Sequence, residues 1–166
     1  TRAGGLAGGD RDDLGELIRP SGFYRVKTRR LRAFTEAWLS AGGYSELRER
    51  DTPGLRRWLL DIHGIGRETA DDILLYGFCR PVWVIDSYTR RLVARLGFPA
   101  LAEAAYDDLA ETLLADAPEP TAPRLARWHG LIVEHAKAHC RVRPGCDVCP
   151  LSDGCEYALS TSGQAV

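Results

Sequence analysis

The sequence predicts an all-α protein. Apolar residues recur at three- and four-residue steps through most of the chain, as on one face of an amphipathic helix, and Gly or Pro ends nearly every such run. Only one segment, 81–85, is short, continuously apolar and able to form a strand. Because no second segment shows a strand pattern, helices packed on helices must build the core.

The helices of the first half are delimited by capping residues. Asp10 is a predicted N-cap for a short helix that Pro20 closes, and a second helix runs from about Tyr24 to the Gly42–Gly43 pair. Thr52–Pro53 predicts a cap followed by proline at the first helical position, opening a third helix. That helix leads into a short turn that contains two glycines.

The second half continues the helical pattern. A helix is predicted over 67–78, and Asp86 is placed to cap the next one after the apolar segment. An acidic helix is predicted over 101–115, and a proline-rich link over 117–123 leads to a further amphipathic helix. No internal repeat is evident, so the chain is expected to fold as one core or two small lobes.

The formal net charge of -1 conceals an uneven distribution of charge. The stretch 100–120 contains six acidic residues and no Lys or Arg, so the rest of the chain is net positive. Arginines cluster in 25–32, 90–95 and 141–143. Each cluster alone is compatible with a solvated face, but together they suit a protein that binds phosphates on one side.

The apolar runs are too short to cross a bilayer, and no secretory apolar region opens the chain. The expected location is therefore the cytoplasm. That compartment also keeps thiols reduced. Cys79 has no obvious disulfide partner and is expected to be a small buried apolar residue.

Four cysteines near the C-terminus follow the spacing C-x5-C-x2-C-x5-C, at Cys140, Cys146, Cys149 and Cys155. One C-x2-C pair with a single Cys on each side suits a cluster of four irons, each of which needs one thiolate. Zinc sites usually present two separate pairs, so zinc fits less well, and disulfides or free thiols are the remaining alternatives. His135 and His139 are expected to pack beside this group.

A glycine-containing turn, His63-Gly64-Ile65-Gly66-Arg67, connects two predicted helices. Without side chains at the glycines, successive backbone N–H groups can approach a phosphate oxygen closely, assisted by the positive end of the following helix. Such contacts position a nucleic acid by its backbone and do not read its sequence. The alternative is an ordinary tight turn between helices.

These motifs occur in a recognisable order. The segment 59–96 resembles the helix-hairpin-helix, the Gly/Pro-rich loop and the catalytic aspartate of the endonuclease III superfamily of DNA glycosylases. The resemblance extends to 22–27, to Trp128-His129-Gly130 with His135, and to the cysteine group, so it covers about residues 15–156. In that family the first cysteine loop is usually one residue longer than here.

The resemblance implies a fold, a cofactor and partners. It implies a two-lobed helical endonuclease III-like fold, with a helical-barrel lobe at 20–97 and a second lobe formed by 1–19 and 98–166. A [4Fe-4S] cluster would be held in the loop 140–155 by the four cysteines. The expected partner is double-stranded DNA containing a damaged base, bound by a monomer near the nucleoid and without a membrane.

The resemblance also assigns roles to single residues. Asp86 would be the essential carboxylate, which stabilises positive charge on the sugar and activates or orients water. The hairpin residues are expected to bind the DNA backbone, as are three further basic residues, Lys27, Arg141 and Arg143.

Glu68 departs from endonuclease III proper, which carries at this position a lysine that forms a Schiff base with the sugar. Glutamate cannot form an imine, so a monofunctional glycosylase is expected, with Glu68 as a second catalytic residue. The hairpin resembles most closely the endonuclease III-type 3-methyladenine DNA glycosylases, which remove alkylated purines. Alternatively, Glu68 is only an exposed first-turn residue favoured by the helix dipole.

Two other functions remain open at this point. One is a bifunctional glycosylase and abasic-site lyase acting on oxidised pyrimidines, with a different amine as nucleophile. The other is a non-catalytic helix-hairpin-helix module that binds DNA.

Overall fold

The computed structural model describes residues 11–162, and within that range the chain is helical and contains no strand. The all-α prediction is confirmed. The ten α-helices of this range are α1 Arg11–Ile18, α2 Tyr24–Ser40, α3 Tyr44–Leu47, α4 Thr52–Leu60, α5 Arg67–Asp72, α6 Ser87–Arg95, α7 Pro99–Ala102, α8 Tyr106–Ala115, α9 Ala122–Ala138 and α10 Glu156–Ser162.

Shorter elements complete the helical architecture. A wider, π-helical turn, Ile73–Gly77, continues α5, and single 3₁₀ turns lie at Arg19–Ser21, Cys146–Val148 and Ser152–Gly154. None of the described helices has both the length and the apolar character that a membrane span requires.

The chain divides between Ala70 and Asp71 into two compact units. The lobes predicted at 20–97 and at 1–19 with 98–166 are a different partition of the chain, and they stay a prediction.

In the first unit α1 packs against α2, and Leu47 of α3 and Leu55 and Leu59 of α4 are fully buried. The cap of α4 is Asp51, whose carboxylate accepts a hydrogen bond from the Gly54 N–H at 2.9 Å. The prediction that Thr52 is the cap is therefore wrong by one residue. Thr52 and Pro53 occupy the first two helical positions, while Asp51 has the extended backbone that a cap needs. The predicted cap Asp10 lies outside the described residues.

In the second unit α9 packs against α6 and against the π-helical turn. The core there is built on Leu75, Val84 and Leu125, with Trp83 and Trp128 in contact beside it at a ring-centroid distance of 5.7 Å. The apolar segment 81–85 is not a strand. It lacks regular structure and buries its last residues in this core before α6 begins.

The acidic helix predicted over 101–115 is wrong, because the segment forms two helices, α7 and α8. Ala105 has an extended backbone (φ -56, ψ 155), which separates them. The Arg90 guanidinium donates to the carbonyls of Ala102 at 2.6 Å and Ala104 at 2.9 Å. Carbonyls that would otherwise need helical partners are thus satisfied by a side chain from α6, which stabilises the break.

Candidate active site and cysteine cavity

Asp86 is the N-cap of α6. Its backbone is extended (φ -104, ψ 178), and its Oδ1 accepts a hydrogen bond from the Thr89 N–H at 2.7 Å. The side chain is buried, and the sequence-based prediction of a cap is confirmed. The hydrogen bond fixes one carboxylate oxygen and leaves the other free to face the neighbouring helix.

That second oxygen faces His129, which lies on α9. Asp86 Oδ2 and His129 Nε2 are 3.6 Å apart, and the two side chains are only 11% and 14% exposed. This separation is longer than a hydrogen bond, so the pair is an electrostatic contact between largely buried groups. The contact links the start of α6 to the middle of α9.

The other ring nitrogen of the same imidazole contacts a tyrosine. His129 Nδ1 lies 2.7 Å from the hydroxyl oxygen of Tyr76, which belongs to the π-helical turn. The tyrosine hydroxyl also lies 3.4 Å from the carbonyl oxygen of Ala126. Tyr76, His129 and Asp86 therefore form a continuous polar chain.

Asp72 lies one helical turn before Tyr76 and is partly buried. Burial raises the pKa of Asp72, and the carboxylates of Asp86 and Asp71 raise it further. The imidazole of His129 lowers it. One of its oxygens is buried without a hydrogen-bond partner. Asp72 thus contributes a carboxyl group that resists ionisation beside an ionised one.

The pKa of Asp86 itself is lowered. Burial alone would raise this pKa, but the contacts with His129 and with Thr89 outweigh the effect of burial. Burial and the neighbouring carboxylates of Asp72 and Asp86 raise the pKa of Tyr76. At neutral pH the site therefore presents a fixed, ionised Asp86 beside a protonated tyrosine.

The hairpin of the first unit lies between α4 and α5. Gly64 has φ 89, and a Cβ atom there would collide with the Arg30 side chain, so only glycine fits. A Cβ at Gly66 would meet nothing within 4 Å, which leaves the backbone approachable from solvent. His63, Arg67 and Glu68 are exposed around this turn.

The other predicted DNA-binding residues are exposed basic side chains. Lys27 Nζ donates to the carbonyl of Ser21 at 2.6 Å, and Arg141 Nε donates to the carbonyl of Lys137 at 2.8 Å. Arg143 is exposed as well. The DNA-binding role of these three residues stays a prediction.

The four cysteines of the second unit line one small cavity, together with His135, His139 and Arg95. All four are free thiols, so the disulfide alternative is not supported. The fifth cysteine, Cys79, is an exposed free thiol, so the prediction that it is buried is wrong. Burial and the nearby thiols of Cys149 and Cys155 raise the pKa of Cys146, and the Arg95 guanidinium acts in the opposite direction. Within 11–162, however, no three His, Cys, Asp or Glu side chains are already arranged to hold a metal ion.

Arg95 supplies positive charge to this cavity. Its guanidinium donates to Cys140 Sγ at 3.2 Å and to the Val142 carbonyl at 3.1 Å, and its own carbonyl accepts from Cys155 Sγ at 3.3 Å. Four thiolates carry a large negative charge, which a nearby cation and a bound cationic metal core would offset. The donor set therefore fits a cluster with four thiolate ligands.

Sequence reasoning singled out Asp86 and the cysteines as candidates but assigned no role to His129, Tyr76 or Asp72. The first of these lies in the Trp128-His129-Gly130 segment, which already supported the family resemblance. Asp72 and Tyr76 are four positions apart, the spacing that places two side chains on one helix face. Only the packing of α9 against the turn shows that the three groups meet.

Comparison with known proteins gives consistent matches. Residues 2–116 match the family described as "HhH-GPD superfamily base excision DNA repair protein". The protein named "Putative DNA repair glycosylase MJ1434" from Methanocaldococcus jannaschii is 42% identical over 149 residues, covering 88% of this chain and 67% of that protein. Endonuclease III of Sulfolobus acidocaldarius is 36% identical over 67% of this chain, which spans only 48% of that relative.

Two solved structures are similar over most of the chain. A 3-methyladenine DNA glycosylase of H. pylori, bound to 1,N6-ethenoadenine, matches with a TM-score of 0.68 at 34% identity, covering 81% of this chain and 66% of that one. An endonuclease III in a non-covalent complex with DNA matches with a TM-score of 0.77 at 22% identity, covering 97% of this chain and 71% of that one. The latter likeness shows the fold, and the predicted endonuclease III-like architecture is confirmed. The chain belongs to the HhH-GPD superfamily of base excision DNA repair proteins.

Proposed function

We propose that the protein is a monofunctional DNA glycosylase that hydrolyses the N-glycosidic bond of an alkylated base. The observation that carries this proposal is the setting of Asp86, which is buried and accepts a hydrogen bond from the Thr89 N–H, with the contacts to Thr89 and His129 lowering its pKa against the effect of burial. A carboxylate held in this way can stabilise positive charge without having to reorganise during the reaction. Family membership supports the choice of a glycosylase over other uses of the same fold.

In the proposed reaction the bond between the sugar C1′ and the base nitrogen breaks, and its electron pair leaves with the base. Positive charge develops on the sugar, and the Asp86 carboxylate stabilises it. A water molecule then adds to C1′ and loses one proton to the carboxylate or to solvent. The products are the free base and an abasic site in an unbroken strand.

Glu68 supports a hydrolytic mechanism over one with a covalent intermediate. It lies in the first turn of α5, and its carboxylate cannot form a Schiff base with the sugar. The sequence contains only two lysines, Lys27 and Lys137, and neither lies in the hairpin. We therefore assign no lyase activity to the hairpin.

The substrate class is suggested by one relative. The H. pylori 3-methyladenine DNA glycosylase that bound 1,N6-ethenoadenine is 34% identical to this chain. An alkylated purine with a positive charge is already an activated leaving group, so it needs little help from an acid. An exposed carboxylate at Glu68 is a suitable charge complement for such a base, in the second catalytic role predicted for it.

The proposed partner is double-stranded DNA containing one damaged base, bound by a single copy of the chain. In this proposal the backbone amides around Gly64 and Gly66 contact the phosphates. The basic side chains of Lys27, Arg141 and Arg143 add sequence-independent attraction.

The four cysteines are proposed to hold a [4Fe-4S] cluster. Bound there, the cluster would act as a structural clamp that fixes the loop 140–155. The residues themselves supply the thiolates, and Arg95 supplies a compensating charge. Arg141 and Arg143 belong to the same loop, so a fixed loop would present both to the DNA backbone.

A panel of duplexes tests the proposal. Each duplex carries one methylated purine, one oxidised pyrimidine or no lesion, and chromatography measures the released base. We expect release of the methylated purine by the unmodified protein, with none from undamaged DNA. Release of only the oxidised pyrimidine would contradict the substrate assignment, and binding without release from any duplex would support a non-catalytic module.

A further inference from the structure

The polar chain that ends on Asp86 crosses three structural elements. Tyr76 belongs to the π-helical turn, His129 to α9, and Asp86 to the start of α6. The two links measure 2.7 Å, from the tyrosine oxygen to Nδ1, and 3.6 Å, from Nε2 to the carboxylate. No step of the proposed reaction described above uses either His129 or Tyr76.

The arrangement restricts where His129 carries its proton. A neutral imidazole has one N–H, and an unprotonated Nε2 would direct its lone pair at the ionised Asp86, which is repulsive. Placing the proton on Nε2 removes that repulsion. The opposite nitrogen, Nδ1, then accepts a hydrogen bond from the Tyr76 hydroxyl at 2.7 Å. A doubly protonated ring also satisfies the site, because the hydroxyl can then donate to the Ala126 carbonyl at 3.4 Å.

We propose that His129 is a positioning residue for Asp86, with Tyr76 fixing the proton of the imidazole on the nitrogen that faces the carboxylate. The inference rests on the proposed function, since it assigns Asp86 the catalytic role. In this arrangement the Thr89 N–H holds one carboxylate oxygen by a hydrogen bond, and the His129 ring faces the other oxygen across 3.6 Å as an electrostatic contact. Together these contacts oppose rotation of the carboxylate away from the reacting sugar and favour its ionised form.

A test of pH dependence has to distinguish the influence of His129 from that of the other titratable groups near Asp86. They are Asp72 from α5, Tyr76 from the following turn and His129 from α9. The pKa of Asp72 is raised and that of Asp86 is lowered, so Asp72 is still protonated in the pH range where Asp86 titrates. Changes at His129 should therefore move the acidic limb of the pH–rate profile, whereas Asp72→Asn should leave it nearly unchanged.

The kinetic test compares His129→Leu and His129→Gln with the unmodified protein in single-turnover excision across pH. We expect His129→Leu to lower the rate about ten- to a hundredfold at neutral pH, the loss typical of one contact to a charged group. Its acidic limb should move to higher pH. His129→Gln places an amide donor near the former Nε2 and should restore part of the rate. The affinity for DNA carrying an uncleavable abasic analogue should not change.

Tyr76→Phe should also lower the excision rate, but by a smaller factor than His129→Leu. Tyr44→Phe is the matched control, because both tyrosines are about half exposed, at 52% and 46%, and Tyr44 lies in the first unit on α3. That control should keep the unmodified rate. Equal rates and equal acidic limbs for His129→Leu and the unmodified protein would overturn the proposal.

A second readout does not depend on activity. Nitrogen NMR of ¹⁵N-histidine-labelled protein reports which ring nitrogen carries the proton, and the other histidines serve as internal references. We expect a protonated Nε2 at His129, with an increased Nδ1–H fraction in Tyr76→Phe. A neutral ring protonated only on Nδ1 would overturn the positioning role even if excision were observed. The expected spectrum with no excision of any lesion would instead reject the proposed function alone.

Discussion

Replacing Asp86 by asparagine separates the two roles that this carboxylate combines. Asparagine keeps an Oδ1 atom that can accept the Thr89 N–H hydrogen bond, which measures 2.7 Å in the structure. Asparagine and aspartate are nearly equivalent as N-caps, so the free energy of unfolding should change by less than about 1 kcal/mol. The substitution therefore removes the negative charge and leaves the helix start intact.

The expected loss of rate follows from that charge. A carboxylate about 4 Å from a unit positive charge contributes roughly 4 kcal/mol when the effective dielectric constant is about 20. Each factor of ten in rate corresponds to about 1.4 kcal/mol of activation free energy. Asp86→Asn should therefore slow single-turnover excision by about a thousandfold.

The assay measures base release from a duplex with one methylated purine, together with urea denaturation of each variant. Asp51→Asn is the matched control, because Asp51 caps α4 with the same type of hydrogen bond, at 2.9 Å to the Gly54 N–H. That control should keep both rate and stability. If Asp86→Asn retained more than about a tenth of the rate, the electrostatic reasoning would be refuted.

Three further predictions concern other residues. Glu68→Lys introduces an amine into the first turn of α5 and should create a borohydride-trappable adduct on abasic DNA that the unmodified protein lacks. Cys149→Ser should abolish the broad visible absorbance expected of an iron–sulfur cluster, whereas Cys79→Ser, at an exposed thiol outside the cavity, should retain it. Asp72→Asn should raise the free energy of unfolding at neutral pH. Because the folded-state pKa of Asp72 is raised, the advantage should shrink as the pH falls from neutral through that raised pKa, and it should be absent below the ordinary aspartate range, as urea titrations at neutral and at acidic pH would show.

Local patterns in the sequence were enough to identify the parts of the site that depend on local structure. Asp86 follows an apolar run and precedes a helical pattern, so its capping position is encoded within a few residues. The hairpin is encoded just as locally, because the backbone at Gly64 has a positive φ, which favours glycine. The cysteine spacing likewise predicted thiols that line one cavity.

The features that sequence reasoning missed depend on contacts between distant segments. Tyr76 and His129 are 53 positions apart, and only the packing of α9 against the π-helical turn brings them together. The break between α7 and α8 has a similar cause, since Arg90 satisfies carbonyls that the sequence pattern assigned to a continuous helix. Asp51 and Thr52 are adjacent, and both residue types are good N-caps, so the sequence alone could not decide which of them caps α4.

Trapping with borohydride on an abasic duplex tests the hydrolytic mechanism most directly. With the unmodified protein, we expect an intact DNA strand and no covalent adduct, because Glu68 offers no amine at the hairpin. A stable protein–DNA adduct accompanied by strand cleavage would contradict it.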